Sequence, residues 1–248
     1  MGEAENKKCW RNDRITIIEQ EELDDKDMLK KFHTLMVVLC LCVGVLLSNI
    51  SYAKATEKLS INKQGIKVWT QQIKDNPMMH YRAETTLNTS IENAVGLILD
   101  TDRGKTWIPY VTDIQVIDRD DAAGEFVIYI KFDFPFPLND RDLVVKGKMS
   151  KNNKGQMIVK NTAIKDPRVP LKNNVIRITH YEGDWVLTKL SAKQVKVSTS
   201  GFADPAGSIP TSFVNTFVEQ QPYQMLQRMK QYVKTVKYTS DDLPSALR

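Results

Sequence analysis

The sequence predicts an α+β domain in which a curved antiparallel sheet is covered by one long C-terminal helix. Three observations favour this class. Alternating apolar and polar segments follow one another from about residue 111 to 200, with short turn-like sequences between them. Few helical segments interrupt them, and an apolar stripe at helical spacing runs from Ile209 through Val236. The composition, 42% hydrophobic and 26% charged, is that of a globular protein.

The first elements of the domain are two strands and one or two short helices. Strands are predicted over 66–73 and 80–88, on either side of the turn-forming sequence Asp75-Asn76-Pro77. Ser90 is a typical helix N-cap. The helix that it begins has one apolar face, formed by Ile91, Ala94, Val95 and Ile98. A second short helix is predicted over 102–107.

The remaining strand signals come in sequence, and short connections favour antiparallel pairing. The segments are 111–118, 125–134, 141–149, 156–164, 175–190 and 193–200. The fifth should contain two strands joined around Glu182-Gly183-Asp184. The final helix is predicted over 209–236, and Pro222 should kink or break it. Because one helix covers a broad sheet incompletely, an internal cavity is expected.

An apolar segment precedes the domain. Leu35–Leu47 contains thirteen consecutive apolar residues. A membrane-spanning helix needs about 20, whereas a signal-peptide core has about 7–15. Lys30 and Lys31 stand before the segment, and small residues follow it at the spacing that signal peptidase reads.

We therefore interpret residues 28–55 as a signal peptide or membrane anchor. Translation starting at Met28 would give a typical export signal, and residues 1–27 would then be a mis-assigned extension. The predicted location is the periplasm or another extracytoplasmic space. The alternative is a protein anchored in the membrane by residues 33–50.

Charge and cysteine content exclude several classes of function. The net charge of +5 suits an anionic membrane surface, but no run of five basic residues indicates nucleic-acid binding. Cys9, Cys40 and Cys42 all lie in or before the apolar segment, so the domain has no disulfide and no thiolate metal site. Three scattered histidines make no metal motif, and no GxSxG elbow is present. We expect a monomer that needs no cofactor and is not an enzyme.

Candidate ligand-binding residues follow from strand and helix periodicity. Alternate residues of each strand point to the same face, and the apolar faces should point inward. They would line either a cavity or an ordinary packed core. The candidates on the strands are Phe126, Ile128, Ile130, Phe132, Leu143, Val145 and Met149. On the last helix they are Val214, Phe217 and Met225, which would form a lid.

Several short motifs, in order over roughly residues 57–237, resemble those of the START domain family, the lipid-transfer domain related to the steroidogenic acute regulatory protein. The matching residues are Gly65–Trp69, Trp107 with Val111, Phe134–Asp142, Val175–Arg177, Tyr181–Gly183, Trp185, Asp204–Gly207, Ile209-Pro210, Val214-Asn215 and Pro222. Ala206 stands where the family usually has glycine.

The resemblance implies a helix-grip fold over residues 56–240, with an apolar tunnel holding one lipid-like molecule, followed by a flexible tail over 241–248. It implies no cofactor and usually no catalysis. The superfamily also includes polyketide cyclases, so a cyclase-like enzyme is the alternative function. A scaffold that has lost its cavity is a third.

Ile176, Arg177 and Ile178, in the apolar strand predicted from residue 175, are further candidates for the site. Arg177, if buried, would meet a ligand head group or an internal carboxylate; a surface ion pair is the alternative. Ile128 and Gly147 stand near the positions where sterol-binding members have an acid–base pair, which argues against a sterol ligand. Arg141-Asp142 and Asp204 are expected to brace loops.

Overall fold

A computed structural model describes residues 57–73, 78–207, 209 and 211–248. The predicted signal or anchor segment, the extension before it and the turn at 75–77 lie outside the described residues. Within the described part of the chain, no helix is long and apolar enough to span a bilayer.

Ten strands form one sheet in the described residues. In chain order they are β1 Lys58–Lys63, β2 Ile66–Gln72, β3 Met79–Leu87, β4 Val111–Asp120, β5 Glu125–Phe132, β6 Asp140–Lys151, β7 Met157–Ala163, β8 Val175–Ile178, β9 Tyr181–Ser191 and β10 Gln194–Ala203. Across the sheet the order is β1-β2-β3-β10-β9-β7-β6-β5-β4, and these neighbours are antiparallel. The short β8 runs parallel to the start of β6.

In the described residues, three α-helices accompany the sheet: α1 Ile91–Leu99, α2 Thr101–Trp107 and α3 Thr211–Tyr232. The Ser90 hydroxyl accepts a hydrogen bond from the Asn93 amide, 3.2 Å away, and so caps α1 as predicted. The long α3 lies against β2 and β3, with α2 packed against β4. An antiparallel sheet gripped by a C-terminal helix is the predicted helix-grip architecture, which is confirmed.

One half of the interface between α3 and the sheet is a packed hydrophobic core. The second half of α3 buries Leu226 and Met229 completely against inward residues of β2, β3, β9 and β10. These are Ile66, Val68, Ala83, Leu187, Val195 and Val197. The predicted apolar face of α1 joins this core through Ile91, Ala94 and Val95. The first half of α3 instead lines an internal cavity, across from residues of β5 and β6.

The C-terminal segment differs from the expectation of a flexible tail. It forms two 3₁₀ turns, Ser240–Asp242 and Ser245–Leu247. Leu243 and Leu247 are buried in the main core, and the Ala246 amide donates to the Asp121 carbonyl at 3.1 Å. These two buried leucines hold an otherwise polar segment against the domain. Two apolar residues are too few to form a periodic pattern in the sequence, so the sequence did not predict this packing.

Three further elements differ from the prediction. The strand β1 was not predicted. The break between β8 and β9 falls at 179–180 rather than around Glu182-Gly183-Asp184, because those three residues are paired with β10 and β7 on both sides. Pro222 lies inside α3 without ending it, so the predicted break does not occur and the predicted kink stays a prediction. Burial of Met225 and Leu226 just beyond it offsets the roughly 3 kcal/mol that an internal proline costs a helix.

Candidate ligand-binding site

An internal cavity of about 220 Å³ lies between the sheet, α2 and the first half of α3. This volume is below the roughly 300–1,000 Å³ that is typical of small-molecule pockets. Its wall is predominantly apolar. The period of two in the strands explains why: every second residue of β5 and β6 points inward, and those residues are hydrophobic.

Most of the predicted site residues line this cavity. On the strands they are Phe126, Ile128, Ile130, Phe132, Leu143, Val145, Met149 and Ile178, and on α3 they are Val214, Phe217 and Met225. The intervening residue Tyr129 is buried on the opposite face of the sheet, against Val144 and Val169. The alternation read from the sequence therefore separates cavity wall from outer layer correctly. Their role in ligand binding stays a prediction.

Two predicted site residues lie elsewhere. Arg177 points to the outer face of the sheet, where its guanidinium makes a two-point ion pair with the buried carboxylate of Asp142, with Nη2 and Oδ2 3.0 Å apart. It also donates to the Val169 and Pro170 carbonyls. The internal carboxylate is thus its partner, and it contacts no ligand in the cavity. Ile176 packs beside Gly207 rather than along the cavity wall.

Loop contacts hold the entry into α3. Arg141, only 1% exposed, donates from Nε to the Pro205 carbonyl at 3.2 Å and from Nη2 to the Ala206 carbonyl at 3.3 Å. Burial lowers the pKa of this guanidinium. Asp204 Oδ1 accepts from the Ala206 amide at 2.9 Å. Asp204 thus braces the turn into α3, as predicted, and Arg141 holds the same loop from the side of β6.

Three aromatic residues join α3 to the loops beside it. Phe217 lies against Phe134 and Tyr110, with ring centroids 5.2 and 5.4 Å apart, and Phe134 and Tyr110 are themselves 6.0 Å apart. We call Tyr110, Phe134 and Phe217 the aromatic latch. Phe134 and Phe217 also line the cavity. The latch therefore links the helix directly to the β5–β6 side of the cavity.

Sequence reasoning missed the polar residues of the cavity wall. Tyr81, Asn161, Tyr181 and Gln221 all line it. Burial raises the pKa of both Tyr81 and Tyr181, so both phenols are neutral at physiological pH. The sequence could have indicated Asn161, because it shares the inward face of β7 with the buried Met157 and Val159.

Charged groups among the described lining residues are paired. Asp100 accepts hydrogen bonds from the Arg103 amide and the Tyr238 hydroxyl and forms an ion pair with the Arg103 side chain at 3.1 Å. Burial, followed by the bond to Asp100, raises the pKa of Tyr238 to about 12. Arg119 pairs with Asp121 at 2.6 Å. Throughout the described ranges, no three His, Cys, Asp or Glu side chains come together as metal ligands.

Comparison with known proteins agrees with this geometry. An uncharacterized protein of Pseudomonas aeruginosa is 25% identical over 70% of this chain and 84% of its own length. The phosphatidylcholine transfer protein of Bos taurus is 26% identical over 65% of this chain and 76% of its own length. The crystal structure of a STAR-related lipid transfer protein from Xanthomonas axonopodis superposes with a TM-score of 0.66 at 26% identity, covering 72% of this chain and 98% of that one. The START domain model matches residues 52–239, and the chain belongs to the START domain family.

Proposed function

We propose that this protein binds one lipid or similar hydrophobic molecule in its cavity and carries or presents it without changing it chemically. The observation that carries this proposal is the cavity itself, an apolar space between sheet and helix. Burial of apolar ligand surface would supply roughly 25 cal/mol per Å² before ordering costs. Relatives named as lipid-transfer proteins support the same assignment.

Entry and release require the first half of α3 to move. The aromatic latch is the main apolar contact between that half and the loops opposite it. The second half is fixed in the core by Leu226 and Met229. Opening the latch while the second half stays in place would expose the cavity, and Pro222, where the helix lacks one backbone hydrogen bond, lies between the two halves.

A membrane surface is the proposed place of exchange. Phe136 is 97% exposed and Leu171 is 75% exposed. The loops that carry them lie at the same end of the sheet, because Asp140 at the start of β6 pairs with Val175 at the start of β8. Phe136 is two residues from Phe134 of the aromatic latch. Insertion of these side chains into a bilayer would place the latch at the lipid surface.

Chemistry in the cavity is the less favoured alternative. A cyclase-like enzyme needs a group that exchanges protons near neutral pH. Neither His80 nor His180 lines the cavity. Burial raises the pKa of Tyr81 and Tyr181, so both phenols stay protonated near neutral pH and neither is available as a general base. We therefore propose carriage without catalysis.

We further propose an extracytoplasmic location, supported by the signal-like residues 28–55. Cell fractionation with N-terminal sequencing tests this. A mature chain that begins near Ala55 in the periplasmic fraction would support export with cleavage. An intact chain in the membrane fraction would support anchoring by residues 33–50, and an intact chain in the cytoplasm would refute both.

Lipid transfer between vesicles tests the function directly. Donor vesicles would carry a labelled lipid extract, and transfer to unlabelled acceptor vesicles would be followed with and without the protein. The proposal expects transfer proportional to protein concentration, with the lipid recovered at unchanged mass. No acceleration by the protein, or recovery of a chemically altered lipid, would count against carriage.

A further inference from the structure

A row of four inward positions crosses the cavity wall from β7 to β3. Asn161 of β7 pairs with Gly183 of β9, Gly183 pairs with Gly201 of β10, and Gly201 pairs with Tyr81 of β3. Two glycines thus stand between two polar residues. At Gly201 the backbone carbonyl of Glu182 takes the place of a side chain, so the row leaves a recess only over Gly183, and the polar residues at its two ends, Asn161 and Tyr81, are the ones that line the cavity.

Tyr181 fills part of that recess. A methyl group built on Gly183 would lie 2.1 Å from the Tyr181 hydroxyl oxygen, so the phenol lies directly over this glycine. Tyr81 is close enough to Tyr181 for its phenol to raise the pKa of Tyr181, and Thr199 lies beside the Tyr81 hydroxyl. Tyr81, Asn161 and Tyr181 therefore form one group, which we call the polar cluster. All three line the cavity.

Hydrogen-bonding capacity in the polar cluster is unused. Among the described residues, neither the Tyr181 hydroxyl nor the Asn161 side-chain amide has a hydrogen-bond partner, although both are partly buried in an apolar wall. A polar group that faces an apolar cavity gains free energy from a hydrogen bond to the molecule that occupies it. A ligand atom in the cavity would supply it.

Charge limits what that ligand atom can be. The only described charged residues that line the cavity are Asp100 and Arg119, and each already has an oppositely charged partner. A phosphate or ammonium group brought to the polar cluster would lose its hydration without gaining a counter-ion, which is strongly unfavourable. A hydroxyl or carbonyl group needs only the hydrogen bonds that the cluster offers.

We propose that Tyr81, Asn161 and Tyr181 form a subsite for an uncharged hydroxyl or carbonyl group, and that the ligand is a neutral lipid rather than a phospholipid. The proposal rests on the proposed lipid-binding function and specifies its ligand class. It differs from what the name of the phosphatidylcholine transfer protein would suggest for this chain. Gly183 is a positioning residue, because it provides the space in which the Tyr181 phenol lies.

Two single-chain lipids with the same acyl group test the ligand class. The purified protein would be titrated with 1-monooleoylglycerol and with 1-oleoyl-lysophosphatidylcholine, both below their aggregation limits. Fluorescence of Trp107 and Trp185, which line the cavity, would report binding. We expect monooleoylglycerol to bind at least about tenfold more tightly. Equal affinities, or tighter binding of the phospholipid, would overturn the ligand class while leaving lipid binding intact. Failure of both to bind, and of total lipid extract as well, would refute the proposed function itself.

Variants test the cluster. Tyr181→Phe removes one hydroxyl and should weaken monooleoylglycerol binding about fivefold, and by more than it weakens binding of the lysophospholipid. Tyr129→Phe is the matched control, since that hydroxyl is buried without a partner on the outer face of the sheet. Gly183→Ala should displace the phenol and reproduce the Tyr181→Phe effect. Melting temperatures would confirm that each variant is folded. Equal monooleoylglycerol affinities for the Tyr181 and Tyr129 variants would refute the subsite.

Discussion

Phe217 of α3 packs edge-on against Phe134 of the β5–β6 loop, with ring centroids 5.2 Å apart and ring planes at 84°. This contact joins the helix that covers the cavity to the wall of the cavity. Both side chains also line the space in which a ligand would lie. The first prediction concerns the strength of this contact.

Truncation of the latch should accelerate lipid release. Phe217→Ala removes two aromatic contacts, each worth about 0.5–1.5 kcal/mol, so the release rate should rise about tenfold. Stopped-flow transfer of a fluorescent lipid to acceptor vesicles measures it. Phe217→Leu keeps apolar bulk and should have a smaller effect. Identical release rates for the wild type and Phe217→Ala would show that α3 does not gate the cavity there.

Exposed apolar side chains should determine membrane association. The double variant Phe136→Ser/Leu171→Ser should bind vesicles of anionic and zwitterionic lipid more weakly, because it removes the two side chains proposed to insert. Co-sedimentation with vesicles measures this. Leu190→Ser is the control, since Leu190 is 53% exposed at the C-terminal end of β9, far from these loops along the sheet. An equal loss in the control would indicate a non-specific effect of surface hydrophobicity.

The Arg177–Asp142 pair should support stability and not ligand binding. Asp142→Ala leaves the guanidinium in a poorly hydrated site without its carboxylate, and should lower the free energy of unfolding by about 3–5 kcal/mol. Replacing both residues, as Asp142→Leu/Arg177→Met, should recover much of that loss. Urea unfolding measures stability, and lipid titration of the folded variants should give wild-type affinity. A large loss of lipid affinity in the stable double variant would instead show that Arg177 contributes to ligand binding.

Alkaline titration should reveal the buried phenols. Burial raises the folded-state pKa of Tyr81 and Tyr181 above the unfolded value of about 10. The unfolded state therefore loses these protons first. The contribution of the two protonated phenols to the free energy of unfolding is fully present below about pH 10. It is lost as the pH rises toward the folded-state pKa values. Tyrosinate absorbance and circular dichroism, recorded together, should show these two phenols ionising only as the sheet unfolds.

The Tyr181→Phe variant tests whether the Tyr181 phenol is one of the two that ionise only on unfolding. Tyr181→Phe should ionise the same number of tyrosines as the wild type before unfolding, and should unfold at higher pH. Ionisation of one tyrosine fewer in Tyr181→Phe, at a pH where the sheet remains intact, would contradict the buried position of this phenol.

The C-terminal turns should contribute to the core. Leu247 is 1% exposed, and Leu247→Ala should destabilise the domain by about 2–5 kcal/mol. Thermal and urea unfolding measure this loss. Lys237→Ala, at an exposed position nearby, is the control and should leave stability within about 0.5 kcal/mol of wild type. A wild-type melting temperature for Leu247→Ala would support the original expectation of a flexible tail.

Periodicity in the sequence predicted the main features of the fold. Alternation along β5 and β6 separated Ile128 and Val145, which line the cavity, from Tyr129, which does not. This alternation predicts the burial of strand residues reliably, because a shift of one residue in the strand register would move every apolar side chain to the opposite face. The family motifs then supplied the arrangement of sheet and helix.

Features that depend on pairing between distant strands escaped prediction. The polar cluster exists because β7, β9, β10 and β3 lie side by side in a particular register, which no single strand encodes. Arg177 was assigned to the cavity because its neighbours are apolar, and only the pairing of β8 with β6 reveals Asp142 as its partner. Leu243 and Leu247 were missed because two residues make no period.

Native mass spectrometry of the protein purified from its producing cells, followed by lipid extraction, would show directly whether this cavity carries a lipid. We expect one bound molecule per chain, and an extract dominated by neutral lipid carrying a hydroxyl or carbonyl group. A protein that is empty after gentle purification, and stays empty after incubation with total lipid extract, would contradict the claim that this cavity is a lipid carrier.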